Sequence, residues 1–290
     1  MKLSVELLCV LFSACLLETR AGREKRLVNA DPEDGKRFPW QARVEDPSRI
    51  HCSGSIIDRQ WVLTAAHCVT SDVKYTQVQI SAGEVSKKTY WNGQTYYSNS
   101  VKRNVSDVFL HRGYCLNPST HPYEEDIYRC LKDTCRKGLK HWDRCHDVAL
   151  LKLKQPLSFN SFLNKIPLKR YDRNLLSWNT EKAVLGWGRT YRYGTTKTPR
   201  RLGVLSVKLV NNGCFAYKSE SQLCASSSTG GVCGGDSGGA LMAKNYGRWY
   251  QIGISSYVLG SCEANVESVF ARASYYCDWI REKTGKELCQ

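Results

Sequence analysis

Short apolar, β-prone runs recur along the chain, and Val204 to Val210 and Tyr250 to Tyr257 are two examples. Repeated runs of this kind predict an antiparallel, all-β fold. Two segments break the pattern. Residues 3–17 form a single apolar run. A helix is predicted from a cap at Ser274 to about Gly285, because four residues are spaced to form one buried face, namely Tyr276, Trp279, Ile280 and Lys283.

The first apolar run has the form of a secretory signal peptide, since the small residues Thr19, Ala21 and Gly22 follow it. The run is too short to span a bilayer, and no later stretch of the chain comes close to the required length. Fourteen cysteines indicate an oxidising compartment. We therefore expect residues 1–22 to be a signal peptide and the protein to be secreted, extracellular and without a membrane span.

The nine residues from Cys233 to Leu241 place one serine among four glycines, an aspartate and a cysteine. So many glycines indicate backbone conformations or close approaches that a Cβ would block. If Ser237 is a nucleophile, its N–H and that of Gly235 can converge on the oxygen of an attacked carbonyl and stabilise the negative charge that develops there. An ordinary glycine-rich turn is the alternative, because a serine hydroxyl is inert without a base.

A candidate base and a candidate carboxylate partner lie in two other stretches. His67 follows the β-prone run that begins at Trp61, where the alternative is a histidine that only packs. Asp147 stands at the start of an apolar strand, and a buried carboxylate needs a partner. His67 is the candidate for that partner.

The order His67, Asp147, Ser237, each within its own local motif, resembles the chymotrypsin-like serine peptidases from about Leu27 to the C-terminus. The resemblance implies that Ser237 is the nucleophile that forms an acyl-enzyme and that His67 is the general base. It implies that Asp147 orients the imidazole and stabilises its protonated form. It also implies that Gly235 and Ser237 provide the oxyanion hole.

The fold implied by this resemblance is all-β, with two antiparallel six-stranded β-barrels followed by a C-terminal α-helix. Residues 27–290 are the expected peptidase domain. Its expected parts are a first barrel, a connector, a second barrel and a helix, at 27–153, 154–177, 178–273 and 274–286. The first barrel carries a cysteine-rich insertion at about 112–145.

Residues 23–26 form a paired-basic segment of the kind that convertases or trypsin-like enzymes cut, and we expect a short propeptide there. In the family, the ammonium freed by this cleavage enters the protein and pairs with the aspartate before the nucleophile. Leu27 and Asp236 occupy these two positions, although Asn29 and Ala30 replace two usual glycines. Cleavage after Arg26 is therefore the expected activation step, because a buried carboxylate without its cation is costly.

The resemblance implies three disulfides, which join Cys52 to Cys68, Cys214 to Cys224 and Cys233 to Cys262. Six further cysteines have no assigned partner: Cys115, Cys130, Cys135, Cys145, Cys277 and Cys289. A twelve-residue helix would separate Cys277 from Cys289 by about 18 Å, whereas bridged Cα atoms lie within about 7 Å. We therefore expect these two to pair with cysteines of the insertion. Six cysteines allow fifteen connectivities, and the sequence does not choose among them.

No metal and no cofactor are predicted. The insertion places cysteines near His121, His141 and His146, but it contains no tight Cys-x-x-Cys pair, so disulfides are a better interpretation than zinc. Calcium is not expected, because no Asp or Glu follows Glu84 within residues 85–106. Asn104 begins the one N-glycosylation sequon of the chain.

The expected specificity pocket lacks a charge. In relatives that cut after Arg or Lys, an aspartate lies at the pocket base, six residues before the nucleophile, and Gly231 stands there in this chain. An arginine at this site would be buried without a partner. Val258 and Ser268 replace two wall glycines of open-pocket relatives, so with Val232 they predict an elastase-like preference for Ala, Val or Leu. A chymotrypsin-like preference is the alternative. The predicted substrate-binding residues are Gly231, Val232, Ser256, Tyr257, Val258 and Ser268.

The formal net charge is +15, from 42 basic and 27 acidic residues, and such a charge attracts polyanions. Basic residues occur in the insertion, in one loop and on the C-terminal helix: Lys132, Arg136, Lys137, Lys140, Arg144, Arg200, Arg201, Arg281, Lys283 and Lys286. Merged into one patch, they would bind a glycosaminoglycan or another polyanion, and an ordinary solvated surface is the alternative. No nucleic-acid fold motif occurs, so no specific nucleic-acid binding is expected.

Two functions from different classes fit these features. The first is a secreted, zymogen-activated serine endopeptidase with protein or peptide substrates, an activating protease and protein inhibitors as partners. The second is a catalytically weak or inactive cationic binding protein of the same fold. The complete set of His67, Asp147 and Ser237 favours the peptidase.

Overall fold

The structure is a computed structural model of the chain. It describes residues 31–33, 37–45, 51–69, 79–82, 87–89, 95–97, 101–114, 146–188, 190–192, 195–197, 202–210 and 220–290. The predicted signal peptide, the predicted propeptide and residues 115–145 of the insertion lie outside these ranges.

Within the described ranges nearly all regular structure is β-strand, as the recurring short apolar runs predict. The strands are β1 (Asp31–Glu33), β2 (Gln41–Glu45), β3 (His51–Asp58), β4 (Trp61–Thr64), β5 (Gln79–Ala82), β6 (Lys87–Thr89), β7 (Thr95–Tyr97), β8 (Val101–Leu110), β9 (Ala149–Leu153), β10 (Lys182–Gly186), β11 (Thr190–Arg192), β12 (Thr195–Lys197), β13 (Leu202–Ser206), β14 (Lys208–Leu209), β15 (Gln222–Ser226), β16 (Ala240–Asn245), β17 (Arg248–Val258) and β18 (Ser268–Arg272).

Six strands of the first half close into an antiparallel barrel, in the order β2-β3-β4-β9-β8-β5. All four residues of β4 and four of the five in β9 are buried, which is why these strands have almost continuous apolar sequences. The two strands pair with each other, and Thr64 lies opposite Ala149. The predicted first six-stranded barrel is confirmed.

The second sheet has eight antiparallel strands rather than the predicted six, in the order β1-β13-β10-β16-β17-β18-β15-β14. Strands β13 and β14 are one run interrupted at Val207, and the run pairs with β10 through its first part and with β15 through its second. It therefore links the two ends of a six-stranded arrangement. The short strand β1 adds to the outer edge of β13. The strand count is corrected, and the chymotrypsin fold with two antiparallel sheets is confirmed.

The C-terminal helix is shorter than predicted. A 3-10 turn spans Ala273–Tyr276, and the α-helix α1 spans Cys277–Thr284. Ser274 does not cap the helix, because its hydroxyl donates to Asp172 Oδ2 at 2.8 Å. Gly285 ends the helix with φ 68°, a left-handed conformation that glycine adopts without strain. No helix in the described part of the chain is long and apolar enough to cross a membrane.

Three of the four residues of the predicted buried face are buried, whereas Lys283 is only half-buried and pairs with Glu282. Tyr276, Trp279 and Ile280 are buried, and they belong to the same hydrophobic core as the first barrel. A smaller core, which contains Val184, Leu241 and Phe270, lies within the second sheet. The helix therefore attaches the end of the chain to the first barrel.

The prediction that Cys277 and Cys289 pair with the insertion is wrong, because they form a disulfide with each other, with Cα atoms 5.8 Å apart. The prediction assumed twelve helical residues between them. The helix instead ends at Thr284, and the left-handed Gly285 reverses the chain. The tail then runs beside residues 168–170, where Gln290 donates its N–H to Leu168 O at 3.1 Å and accepts that of Arg170 at 3.0 Å.

Removing this disulfide is expected to destabilise the fold without changing its chemistry. The double variant Cys277→Ser, Cys289→Ser frees a twelve-residue loop, and the free energy of unfolding should fall by about 2 to 4 kcal/mol. Equilibrium denaturation by guanidinium chloride measures this difference, with turnover of a peptide substrate at 25 °C as the second readout. A variant as stable as the wild type would contradict a stabilising role for the bridge.

Candidate active site

The pairing of two strands brings the candidate base and the candidate carboxylate together. His67 lies in the 3-10 turn Ala66–Cys68, directly after β4, and Asp147 lies two residues before β9. Since β4 and β9 are antiparallel neighbours, the end of one strand lies beside the start of the other. The fold therefore delivers two residues from distant parts of the sequence to the same end of the barrel.

Three hydrogen bonds converge on the Asp147 carboxylate, which is 1% exposed. His67 Nδ1 lies 2.7 Å from Oδ2, and the backbone N–H of His67 donates to Oδ1 at 2.9 Å. The Ser256 hydroxyl also donates to Oδ2. The carboxylate is thus satisfied on both oxygens, as a buried acid requires.

Opposing effects act on the pKa of Asp147. Burial favours the neutral acid, but the charge of His67 and the hydrogen bonds from His67 and Ser256 outweigh it, so the pKa lies below its usual value of 3.8. Asp147 therefore stays ionised at neutral pH. An ionised acceptor at Nδ1 selects the imidazole tautomer that keeps its proton there, so Nε2 is the basic nitrogen of the ring.

Hydrogen bonds hold the loop that carries Ser237 against the strands of both sheets. The Ser237 carbonyl accepts the N–H of Ser53 on β3 at 2.7 Å, and the N–H of Gly238 donates to Ser255 O on β17 at 2.7 Å. Gly238 has φ +78°, and a Cβ there would lie 2.1 Å from Thr64 Oγ1. Only glycine fits this contact, which fixes the loop beside the segment that leads to His67.

Three N–H groups of this loop make no hydrogen bond within the residues that the structure describes, namely those of Gly234, Gly235 and Ser237. The N–H groups of Asp236, Gly238 and Gly239 donate to backbone carbonyls. Gly235 and Ser237 are the two residues of the predicted oxyanion hole. The Ser237 hydroxyl also makes no hydrogen bond in this part of the chain, so the structure does not join it to His67. Such contacts are often long in a free enzyme and tighten when substrate binds.

Asp236 lies beside Ser237 and is completely buried. Its carboxylate accepts the N–H of Gly188 at 2.7 Å and that of Cys233 at 2.9 Å, and no cation among the described residues pairs with it. Burial raises the pKa of Asp236 to about 7, against the lowering effect of these two hydrogen bonds. Leu27, its expected partner, lies outside the described residues.

The predicted pocket residues occupy one region of the second sheet. Gly231 is buried, and a Cβ there would lie 2.6 Å from Glu263 O. Val232 belongs to the core of this sheet, Val258 packs against that core, and Ser268 lies opposite Val258 in the register of β17 and β18.

Ser256 and Tyr257 differ from the other predicted pocket residues. Tyr257 packs against the small buried cluster of Cys224 and Val269. The Ser256 hydroxyl is directed to Asp147, so its side chain supports the carboxylate and only its backbone is left for substrate. Sequence reasoning missed this role, although a polar residue in a β-prone, buried run signals a need for a hydrogen-bond partner.

A sequence model of the family described as Trypsin matches residues 27–280. The chain belongs to the trypsin family of serine proteases. Similar proteins include serine proteinase stubble of Drosophila melanogaster, at 32% identity over 93% of this chain and 32% of that protein. Serine protease 41 of Homo sapiens is 30% identical over 84% of this chain and 72% of its own length. Tryptase of Mus musculus is 29% identical over 90% of both chains. The chain thus spans about a third of the length of the first of these relatives.

Disulfides flank the site of this trypsin-family chain. Cys52 is bonded to Cys68 and Cys233 to Cys262, as the resemblance implies. Cys224 is also in a disulfide, and Cys214, its expected partner, lies outside the described residues. The insertion cysteines also lie outside the described residues, namely Cys115, Cys130, Cys135 and Cys145. Asn104 lies on β8 with an exposed side chain, and its glycosylation stays a prediction.

Potential metal ligands near the trypsin-family site are already bonded to protein groups. Among the described residues, one group of three lies close together, namely Cys52, His67 and Cys68. Both sulfurs form a disulfide and therefore offer no thiolate. His146 stacks on His111 with ring centres 4.8 Å apart, while His121 and His141 lie outside the described residues.

The cations of the C-terminal helix and Lys286, which follows it, are paired with acids in this trypsin-family structure. Arg281 contacts Asp278 and Glu287, Lys283 contacts Glu282, and Lys286 contacts Asp58 at 2.8 Å. The other cations of the predicted basic patch lie outside the described residues, in the insertion and at Arg200 and Arg201. The helix alone therefore offers little unpaired positive charge.

Proposed function

We propose that this trypsin-family chain is a secreted serine endopeptidase that is activated by cleavage after Arg26 and prefers small or medium apolar residues before the cut. The observation that carries the proposal is the buried, ionised Asp147 that holds His67 through its Nδ1 and its backbone N–H. Such a pair prepares Nε2 to accept a proton from a serine hydroxyl. The Ser237 loop, fixed beside the segment that leads to His67, carries that hydroxyl.

The proposed reaction has two halves, formation of an acyl-enzyme and its hydrolysis, and the same residues act in both. The Ser237 hydroxyl oxygen attacks the scissile carbonyl carbon while its proton passes to His67 Nε2, and Asp147 stabilises the imidazolium that forms. The N–H groups of Gly235 and Ser237 bind the developing oxyanion, a contact that is worth about 10²–10³-fold in rate per donor. His67 then protonates the leaving amine. In the second half, water attacks the acyl carbon while its proton passes to His67 Nε2, and His67 returns that proton to the Ser237 oxygen as the carboxylic acid product leaves.

Activation is proposed to supply the missing partner of Asp236. The carboxylate is buried against Gly186 and Gly188, where an added Cβ would lie 1.8 Å and 2.3 Å from its oxygens. Cleavage after Arg26 creates the α-ammonium group of Leu27, whose positive charge can pair with a buried carboxylate. That ion pair would order the neighbouring residues Gly235 and Ser237.

The substrate preference is proposed from the pocket residues. Gly231 has no side chain, so the pocket base holds no acid to receive an arginine or lysine. A side chain there would collide with the backbone of Cys262 and Glu263. Val232 and Val258 add apolar surface. An elastase-like preference for Ala, Val or Leu follows, with a chymotrypsin-like preference as the alternative.

Secretion and glycosylation complete the proposal. The signal-peptide form of residues 1–22 and the disulfide bonds support export to an oxidising compartment. The exposed Asn104 is accessible to glycan addition.

The test is to cleave the precursor after Arg26 and measure kcat/KM for peptides that differ only in the residue before the cut. Alanine or valine should exceed phenylalanine and arginine by at least about tenfold, since one methylene in an apolar pocket is worth about 10–200-fold. Ser237→Ala is the control and should remove turnover. Faster cleavage after arginine would overturn the pocket assignment, and silence from folded, cleaved enzyme would overturn the peptidase function.

A second candidate function is a cationic binding protein, and one observation favours it. Lys169 and Arg248 lie 5.1 Å and 5.6 Å from the ring centre of Tyr250, and within the described part of the chain neither forms an ion pair. Two unpaired cations beside one aromatic ring suit a sulfated glycosaminoglycan. Salt-dependent retention on heparin by cleaved enzyme that lacks turnover would support this candidate.

A further inference from the structure

Ser53 is a fully buried residue of β3 that contacts the Ser237 loop at two points. Its N–H donates to Ser237 O at 2.7 Å, and its hydroxyl donates to Gly235 O at 3.0 Å. Its own carbonyl accepts the Thr64 hydroxyl at 2.8 Å. One residue is therefore bonded to both residues of the predicted oxyanion hole, Gly235 and Ser237.

We propose that Ser53 is a positioning residue of the oxyanion hole, because its hydroxyl holds the Gly235 carbonyl and so fixes the direction of the Gly235 N–H. The proposal rests on the proposed peptidase function. Ser53 touches no reacting atom in it and acts only through the loop.

Gly235 needs such an external restraint. It has φ +103°, and as a glycine it can rotate about its backbone bonds more freely than other residues. Its N–H makes no hydrogen bond within the described residues, so it is not held by a bond of its own. A Cβ on the preceding Gly234 would meet nothing within 4 Å, so no packing restrains the chain on that side. The Gly235 carbonyl shares a peptide unit with the Asp236 N–H, which donates to Cys233 O at 3.0 Å, and the hydrogen bond from the Ser53 hydroxyl is a second restraint on that unit.

The hydrogen bond from Ser53 supplies that restraint from a rigid element. Strand β3 lies between β2 and β4 in the closed barrel, and the Thr64 hydroxyl anchors the Ser53 backbone to the end of β4. With the hydroxyl on Gly235 and the N–H on Ser237, the two ends of the three-residue segment 235–237 are bonded to the same residue. A donor pair that is held in place before the reaction stabilises the oxyanion better than one that must reorient.

A second serine on the same strand provides a matched control. Ser55 is also fully buried, but its hydroxyl donates to Gln251 Oε1 at 2.7 Å and does not contact the Ser237 loop. The two serines lie two residues apart on β3, and replacing either by alanine removes one buried hydroxyl. A purely structural role predicts similar effects of the two changes.

The experiment compares Ser53→Ala with Ser55→Ala in the chain cleaved after Arg26, with enzyme concentrations set by active-site titration. Ser53→Ala should lower kcat about tenfold with KM within about twofold, since only the transition state carries the oxyanion. Affinity for a peptide trifluoromethyl ketone, whose adduct places an oxyanion in the hole, should fall by about the same factor. Ser55→Ala should leave both values within about twofold.

Two outcomes would overturn the positioning role alone: an active wild type with unchanged kcat in Ser53→Ala, or equal losses in the two variants. Ser53→Gly lacks the same hydroxyl and should repeat the loss, which protects the test if Ser53→Ala folds poorly. A folded, cleaved wild type without turnover would overturn the peptidase function together with the role of Ser53.

Discussion

Asp147→Asn is expected to lower kcat by about 10⁴-fold near pH 7, which makes it the largest expected effect of a change outside the nucleophile. Three donors converge on Asp147, from the His67 backbone, the His67 ring and the Ser256 hydroxyl. An asparagine offers one acceptor oxygen in place of two and adds two N–H donors. The His67 ring then favours the tautomer that carries its proton on Nε2, where it cannot accept the proton of Ser237.

A matched control separates this effect from a loss of stability. Asp172 is 3% exposed and is bonded to Arg272 at 2.6 Å and 3.0 Å and to the Ser274 hydroxyl at 2.8 Å. Asp172→Asn should reduce stability while kcat stays within about twofold, because the residue has no contact with His67 or Ser237. Both variants are measured by steady-state kinetics with active-site titration. A kcat of Asp147→Asn within tenfold of wild type would contradict the role assigned to Asp147.

The second large effect concerns the stability of the uncleaved chain as pH changes. Burial raises the pKa of Asp236 to about 7, from 3.8 in the unfolded chain. The folded state therefore keeps this proton at pH values where the unfolded state has released it. The stability contributed by the protonated carboxyl is fully present below about pH 3.8 and is lost as the pH rises through 7. The difference in pKa corresponds to roughly 4 kcal/mol at about 1.4 kcal/mol per unit.

Asp236→Asn removes this titration, so the difference in stability between wild type and variant reports on Asp236 and not on the other titrating groups. The free energy of unfolding is measured in urea at several pH values from 4 to 8, in a Ser237→Ala background that prevents self-cleavage. The uncleaved wild type should lose stability relative to Asp236→Asn as the pH rises, with the change levelling above about pH 7. Parallel profiles would contradict the raised pKa. Cleavage after Arg26 should reduce the difference, because an ammonium partner favours the ionised carboxylate.

The parts of the fold and site that could be predicted from sequence are those encoded in short segments. The apolar run that ends near His67 and the one that follows Asp147 are adjacent strands, and their register brings the two side chains together. The glycines around Ser237 are explained by contacts such as that of Gly238 with Thr64. Each of these patterns lies within a short stretch of sequence, so it can be recognised from the sequence alone.

The parts that could not be predicted depend on contacts between distant residues or on one conformational detail. The disulfide between Cys277 and Cys289 depends on where the helix ends, which the left-handed Gly285 decides. The hydroxyls of Ser53 and Ser256 act on groups 182 and 109 residues away in sequence. No pattern near either serine specifies which group it meets.

In the proposed pocket, the packing of Gly231 limits how selectivity for a basic substrate could evolve from this chain. An acid placed there by one mutation would bring a Cβ to 2.6 Å from Glu263 O and 2.8 Å from Cys262 O, so the backbone at 262–263 must move first. The disulfide from Cys262 to Cys233 ties that backbone to the Ser237 loop, and a shift there would disturb the loop that carries the nucleophile. An evolutionary route to an acidic pocket therefore requires a permissive change in the 262–263 segment before the substitution at Gly231.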